Sequence, residues 1–93
     1  MLFRSRARAR DFAQRVERAA GAEPEQQIRL AWRLALGREP SRSELKSALT
    51  FIDAQSLRRS QREPGKPPQE VRQLALADFC QAIFAMNEFI YVD

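Results

Sequence analysis

The chain has 93 residues, 44% of them hydrophobic and 30% charged, a balance that fits one small folded domain and argues against disorder along its whole length. Histidine is absent and Cys80 is the only cysteine, which excludes His-based general bases, Ser-His-Asp triads, His-ligated zinc or haem and any intrachain disulfide. The formal charge of +4 is local, because residues 1–18 carry Arg4, Arg6, Arg8, Arg10, Arg15 and Arg18 against Asp11 and Glu17 while the rest of the chain balances.

A first helix is predicted from about Phe3 to Ala20. Ala9, Phe12, Ala13, Val16 and Ala20 fall at helical spacing, arginine and alanine favour helix, and Gly21 stands where a helix commonly stops in the left-handed conformation. A second helix should begin near Pro24 or Glu25, since proline suits a first turn and Glu23 and Glu25 favour the positive end of the helix dipole. Its stripe is Ile28, Ala31, Trp32 and Ala35, broadened by Leu30, Leu34 and Leu36, and Gly37 is its stop. Ser41 followed three residues later by Glu44 is a capping-box signature that opens a third helix. That helix carries Leu45, Ala48, Leu49 and Ile52 on one face with Phe51 beside them, and it fades near Ser60. Residues 61–68 hold three prolines and a glycine and form an interhelical loop. A fourth helix begins at Pro67 or Pro68 and is predicted to end near Asn87 or Phe89, leaving residues 90–93 as an apolar tail.

The stretch from Leu74 to Val92 is the most apolar of the chain. Leu76, Phe79, Cys80 and Ile83 form one side of it, and Leu74, Ala75, Ala82 and Met86 widen that side beyond the stripe of a surface helix. A helix of this kind must be covered by others. The expected fold is therefore all-α: a small bundle of four helices with the C-terminal helix central, residues 1–93 making a single domain. Asp78 and Glu88 interrupt the run before it reaches the length of a membrane span, and the start "MLFRSRARAR" has no apolar segment of a signal peptide. As written, the chain is expected to stay where it is made.

The arginines of the first helix raise a nucleic-acid reading, since Lys and Arg contacts to phosphate supply most non-specific affinity. Arg4, Arg8 and Arg15 lie roughly on one side and Arg6 and Arg10 on another, with Asp11 and Glu17 among them, and Phe12 and Trp32 fall on core faces, so a solvated helix face is favoured. Asp78 is the one carboxylate within the apolar stretch. It has no second catalytic group at a useful spacing, and a bond to an arginine of a neighbouring helix is expected. Cys80, between Phe79 and Ile83, reads as a small buried hydrophobe and Trp32 as a core anchor. No glycine cluster could cradle a phosphate. The sequence offers no catalytic constellation and calls for no cofactor and no metal.

The segments "AWRLALGREPSRSEL" and "ALADFCQAIFAMNEFIYVD" together resemble the C-terminal end of a helical domain of unknown function that closes large secreted proteins of planctomycetes carrying a cytochrome-c-like domain upstream. The likeness rests on Arg33 to Pro40, Glu44 and Leu45, then on Ala77, Asp78, Cys80, Gln81, Ala82, Asn87 to Phe89 and Tyr91 to Asp93, with "ARDFAQRV" at Ala9 to Val16 resembling the preceding helix. It implies an extracytoplasmic parent with no established activity and transfers no functional residue. The segment "LFRSRARA" and the missing Cys-x-x-Cys-His haem site depart from that family, so the chain is expected to be a C-terminal piece of such a protein. The resulting expectation is a non-catalytic structural or protein-interaction module. Its partner would be another protein or a second copy, held through residual apolar surface beside the first helix, while Phe89, Ile90 and Val92 tie down the C-terminus. The alternative is a basic nucleic-acid-binding module using the six arginines of the first helix.

Overall fold

Four α-helices follow one another: α1 (Leu2–Ala20), α2 (Pro24–Leu36), α3 (Arg42–Arg62) and α4 (Pro68–Tyr91). The computed structural model describes the backbone of residues 2–91 and the side chains of residues 8–86. No strand occurs among the described residues, and the all-α class read from the sequence holds.

Local chemistry sets most boundaries. Pro24 occupies the first turn of α2, and Gly37 ends that helix at φ 75°, its N–H donating to the Arg33 carbonyl at 2.9 Å. The capping box forms as its sequence requires, with Glu44 N–H donating to Ser41 Oγ at 3.1 Å and Ser41 N–H to Glu44 Oε1 at 2.8 Å. Two helices run further than the sequence suggests. Helix α3 continues through Arg62 because "RRSQR" lacks a stripe yet consists mostly of good helix formers, with Arg59 and Arg62 at the negative end of the dipole. It stops at Glu63, which precedes Pro64 and is driven out of the helical region to φ −134°, ψ 70°. The connection is therefore residues 63–67, shorter than the proline-rich stretch itself. Helix α4 continues through Tyr91 with no glycine or proline to break it, so Ile90 and Tyr91 belong to the helix instead of a tail. Anchoring by the side chains of Phe89, Ile90 and Val92 lies outside the described residues.

Helix α4 touches all three others and is central, as its apolar composition demands. Helices α1 and α3 flank it without touching each other, and α2 lies across all three. Three helices side by side with a fourth on one face account for the slab-like extents of 43 × 30 × 23 Å, a helix with its side chains being ~10 Å across. Both flanking helices run antiparallel to α4. Phe12 meets Phe84 with ring centroids 5.1 Å apart while Glu17 reaches Gln73, and Phe51 meets Phe79 at 6.5 Å while Arg59 reaches Asp78. The core lies where α2 covers this layer: Val16, Ile28, Ala31, Ala75, Cys80 and Ile83 have no accessible surface. Burying an isoleucine of this kind stabilises the fold by ~1.5–3 kcal/mol. Among the described residues no further helix covers the other side of the α1–α4–α3 layer.

Candidate functional site

Asp78 is the natural starting point, as the one carboxylate set into the apolar part of α4. Its Oδ2 accepts from Arg59 Nε at 2.8 Å and its Oδ1 from Arg59 Nη2 at 2.8 Å, a bidentate fork completed by Gln55 Nε2 at 3.1 Å from Oδ2. The two side chains are 20% and 23% exposed. The expected arginine is thus Arg59 of α3, and the carboxylate in turn raises the pKa of the Arg59 guanidinium. The fork occupies both oxygens of the carboxylate, and the other charged side chain lining the recess beside it, Arg10, is also an arginine. Cys80, two residues on, is fully buried, and burial pushes its thiol up to about 12. It is protonated at neutral pH and shielded, the reverse of a nucleophile. Among the described residues no cluster of three or more His, Cys, Asp or Glu side chains could hold a metal ion. No described helix is long and apolar enough to cross a membrane.

The arginines of α1 do not act as one stripe. The Arg8 guanidinium sits 5.9 Å from the Phe84 ring centroid, Arg10 and Arg18 line a cleft between α1 and α4, and Arg15 is exposed away from that cleft. Among the described residues none of these four has a carboxylate within salt-bridge distance, and neither do Arg42, Lys46, Arg58 and Arg62, whereas Arg29, Arg33, Arg38, Arg59, Lys66 and Arg72 do. The side chains of Arg4 and Arg6 lie outside the described residues.

Several hollows beside α4 remain open. One, of about 400 Å³, runs between α3 and the C-terminal half of α4, floored by Trp32, Ala48, Phe79 and Ile83 and edged by Phe51 and Met86. Phe51 is 36% exposed and Met86 42%. This corrects the sequence reading at Met86 and Ala82, placed with the covered face and here exposed, while the apolar surface expected beside the start of the first helix falls on side chains outside the described residues. Among the described residues Leu34 and Leu57 are the other large exposed apolar side chains, and residues 8–20 of α1 contribute none. Trp32 is 4% exposed and packs on Phe79 with centroids 6.3 Å apart, yet its Nε1–H finds no partner among the described residues. At the edge of this hollow Glu44 is held by the Arg38 fork and by Ser41 N–H, which lower its carboxyl to about 2.

The second hollow is the α1/α4 cleft, about 600 Å³, with Arg10, Gln14 and Arg18 on the α1 side, Glu70 and Leu74 on the α4 side and Lys66 near one end. An adjoining recess of about 270 Å³ shares Arg10, Leu74 and Ala77 with it and extends to Arg59 and Asp78. Neither hollow was singled out from the sequence. The one signal available was Phe51, an aromatic just off its helix's apolar stripe. No known protein family matches the chain, and no curated protein or solved structure shows significant similarity to it.

Proposed function

We propose that the protein is a non-catalytic helical interaction module whose contact face is the α3/α4 hollow, met by the same face of a second copy. The observation that carries this reading is the combination, on one face, of two protruding apolar side chains, Phe51 and Met86, with the apolar recess between them. An isologous contact needs a surface that is complementary to itself, and a face bearing both knob and hole meets that need. Only a few side chains are involved, so the contact falls below the size of a stable interface and the dissociation constant is expected near ~0.1 mM. Closure of Asp78 by Arg59 and burial of Cys80 support the non-catalytic part.

Sedimentation or light scattering over a concentration series tests the reading. The apparent mass is expected to rise from the 10.7 kDa monomer with concentration, and Phe51→Glu, an exposed position, is expected to abolish the rise without unfolding the chain. A wild-type chain that stays monomeric throughout, or a dimer indifferent to Phe51→Glu, would overturn it.

A further inference from the structure

The recess beside the Asp78 fork draws its polar groups from three helices: Arg10 from α1, Arg59 from α3, and Asp78 and Gln81 from α4, over a floor of Ala9 and Ala77. Helices α1 and α3 do not touch, so their side chains share one space here only because both overlook α4. Among the described residues the charges of this space do not balance, with two arginines against one carboxylate. That carboxylate is already engaged. Arg59 holds both its oxygens through Nε and Nη2 at 2.8 Å, and Gln55 Nε2 adds a bond at 3.1 Å. The side-on fork leaves the Nη1 edge of Arg59 with no acceptor among the described residues, and it fixes a side chain that is only 23% exposed. Arg10 is exposed and has no carboxylate within salt-bridge distance among those residues.

From this we infer that the recess binds the terminal phosphate group of a small molecule between Arg10, Arg59 and Gln81. Each of the three side chains brings N–H donors to the same space, while the acceptor oxygens of Asp78 are taken up by the fork. A terminal phosphate presents three acceptor oxygens and close to two negative charges at neutral pH, which answers both the donors and the excess of positive charge. Arg59 is held from behind by Asp78, so it enters such a contact with its rotamer already fixed and loses less entropy on binding. The volume of about 270 Å³ lies below that of pockets enclosing drug-sized ligands, so the recess takes the phosphate and the atoms next to it.

The same features set aside other occupants. A metal cation would meet two arginines and find no free carboxylate. An apolar ligand would leave the donors of Arg10 and Gln81 without water or partner. A single carboxylate, with two oxygens and one charge, satisfies less of the donor set than a phosphate does.

The test is titration of the full chain with inorganic phosphate and with glycerol phosphate, followed by NMR at a constant ionic strength of ~0.1 M, which screens charges more than ~10 Å away. Shifts are expected at the amides of Arg10, Ala77 and Asp78, in the Gln81 side-chain amide and at Arg59 Nε–H, with a dissociation constant near ~1 mM. Arg10→Gln, at an exposed position that leaves the Asp78 fork in place, is expected to weaken binding at least ~5-fold. Arg18→Gln, in the neighbouring cleft but outside the recess, should change it less than ~2-fold. Acetate should bind at least ~5-fold more weakly than phosphate. No shift at ~20 mM phosphate, where such a site would be nearly full, would overturn the proposal. Acetate binding as tightly as phosphate would also do so, as would equal losses from Arg10→Gln and Arg18→Gln or shifts clustered elsewhere. Binding to vesicles containing phosphatidic acid that is lost in Arg10→Gln, with none to glycerol phosphate, would overturn the small-molecule assignment in favour of a lipid headgroup.

Discussion

Replacing Arg59 by methionine is expected to destabilise the fold by about 2 kcal/mol, and the size follows from where the pair sits. Breaking a fully buried ion pair costs ~3–5 kcal/mol because an uncompensated charge is stranded, whereas exposed pairs contribute under ~1 kcal/mol. The Arg59 and Asp78 side chains are 23% and 20% exposed, between these limits. Loss of Arg59 removes both 2.8 Å bonds and leaves Asp78 only Gln55, at 3.1 Å, and such solvent as reaches a carboxylate one-fifth exposed. For a domain of this size the loss corresponds to a fall in Tm of ~10 °C. Urea unfolding followed by circular dichroism gives the free energy directly, and a double-mutant cycle isolates the pair. Arg59→Met and Asp78→Leu should each destabilise, while the double variant should recover ~1.5 kcal/mol of their sum, since two apolar residues no longer strand a charge. If the two single costs add to within ~0.5 kcal/mol in the double variant, the fork is not coupled in solution. Asp78 would then be a free carboxylate beside a recess, and the non-catalytic reading would lose its main support.

Three further outcomes are expected. Ile83→Val, at a position with no accessible surface, should cost ~1 kcal/mol in urea unfolding, and a cost near zero would mean that α4 is not the covered centre of the bundle. Glu44 titrates in the folded state at about 2 against an ordinary 4.5, so its contribution to stability is complete above 4.5 and is lost as the pH falls from there towards 2. Arg38→Gln should shrink that acid loss, and thermal unfolding curves of both proteins across this range should converge at the acid end; parallel curves would refute the assignment. Cys80, with its thiol pushed up to about 12 by burial, should react with a disulfide reagent in neutral buffer only as fast as the domain opens, and the rate should climb with urea alongside unfolding. Rapid labelling of the native protein would contradict its place in the core.

The features legible in the sequence are those decided within a few residues or by bulk hydrophobicity. Ser41 and Glu44 cap each other across three positions, Pro24 and Gly37 act through their own backbone preferences, and the apolar content of α4 alone requires it to be covered. The ends of α3 and α4 were less legible, because a segment such as "RRSQR" loses its apolar stripe before it loses its helical propensity. That Asp78 would meet an arginine followed from the charge being set in an apolar helix. That the arginine is Arg59 depends on the register between α3 and α4, nineteen residues apart along the chain, which no local pattern encodes. The exposure of Met86 has the same origin, since its side chain faces a neighbour whose extent is fixed elsewhere.

Helix lengths explain why the open surface lies beside a helix as apolar as α4. At 1.5 Å per residue, the 24 residues of α4 span ~36 Å and the 13 residues of α2 only ~20 Å. The short helix crosses the layer near Phe79, where Trp32 meets it, and ends before it can cover Met86. Helices α1 and α3 lie along α4 on either side without touching, so each boundary with α4 is a groove wherever α2 is absent. One groove kept apolar edges in Phe51 and Met86, and the other acquired Arg10 and Arg18 from the only strongly basic segment of the chain. Gly37 ends α2 after 13 residues, and the α3/α4 hollow stays open beside Trp32 of that helix.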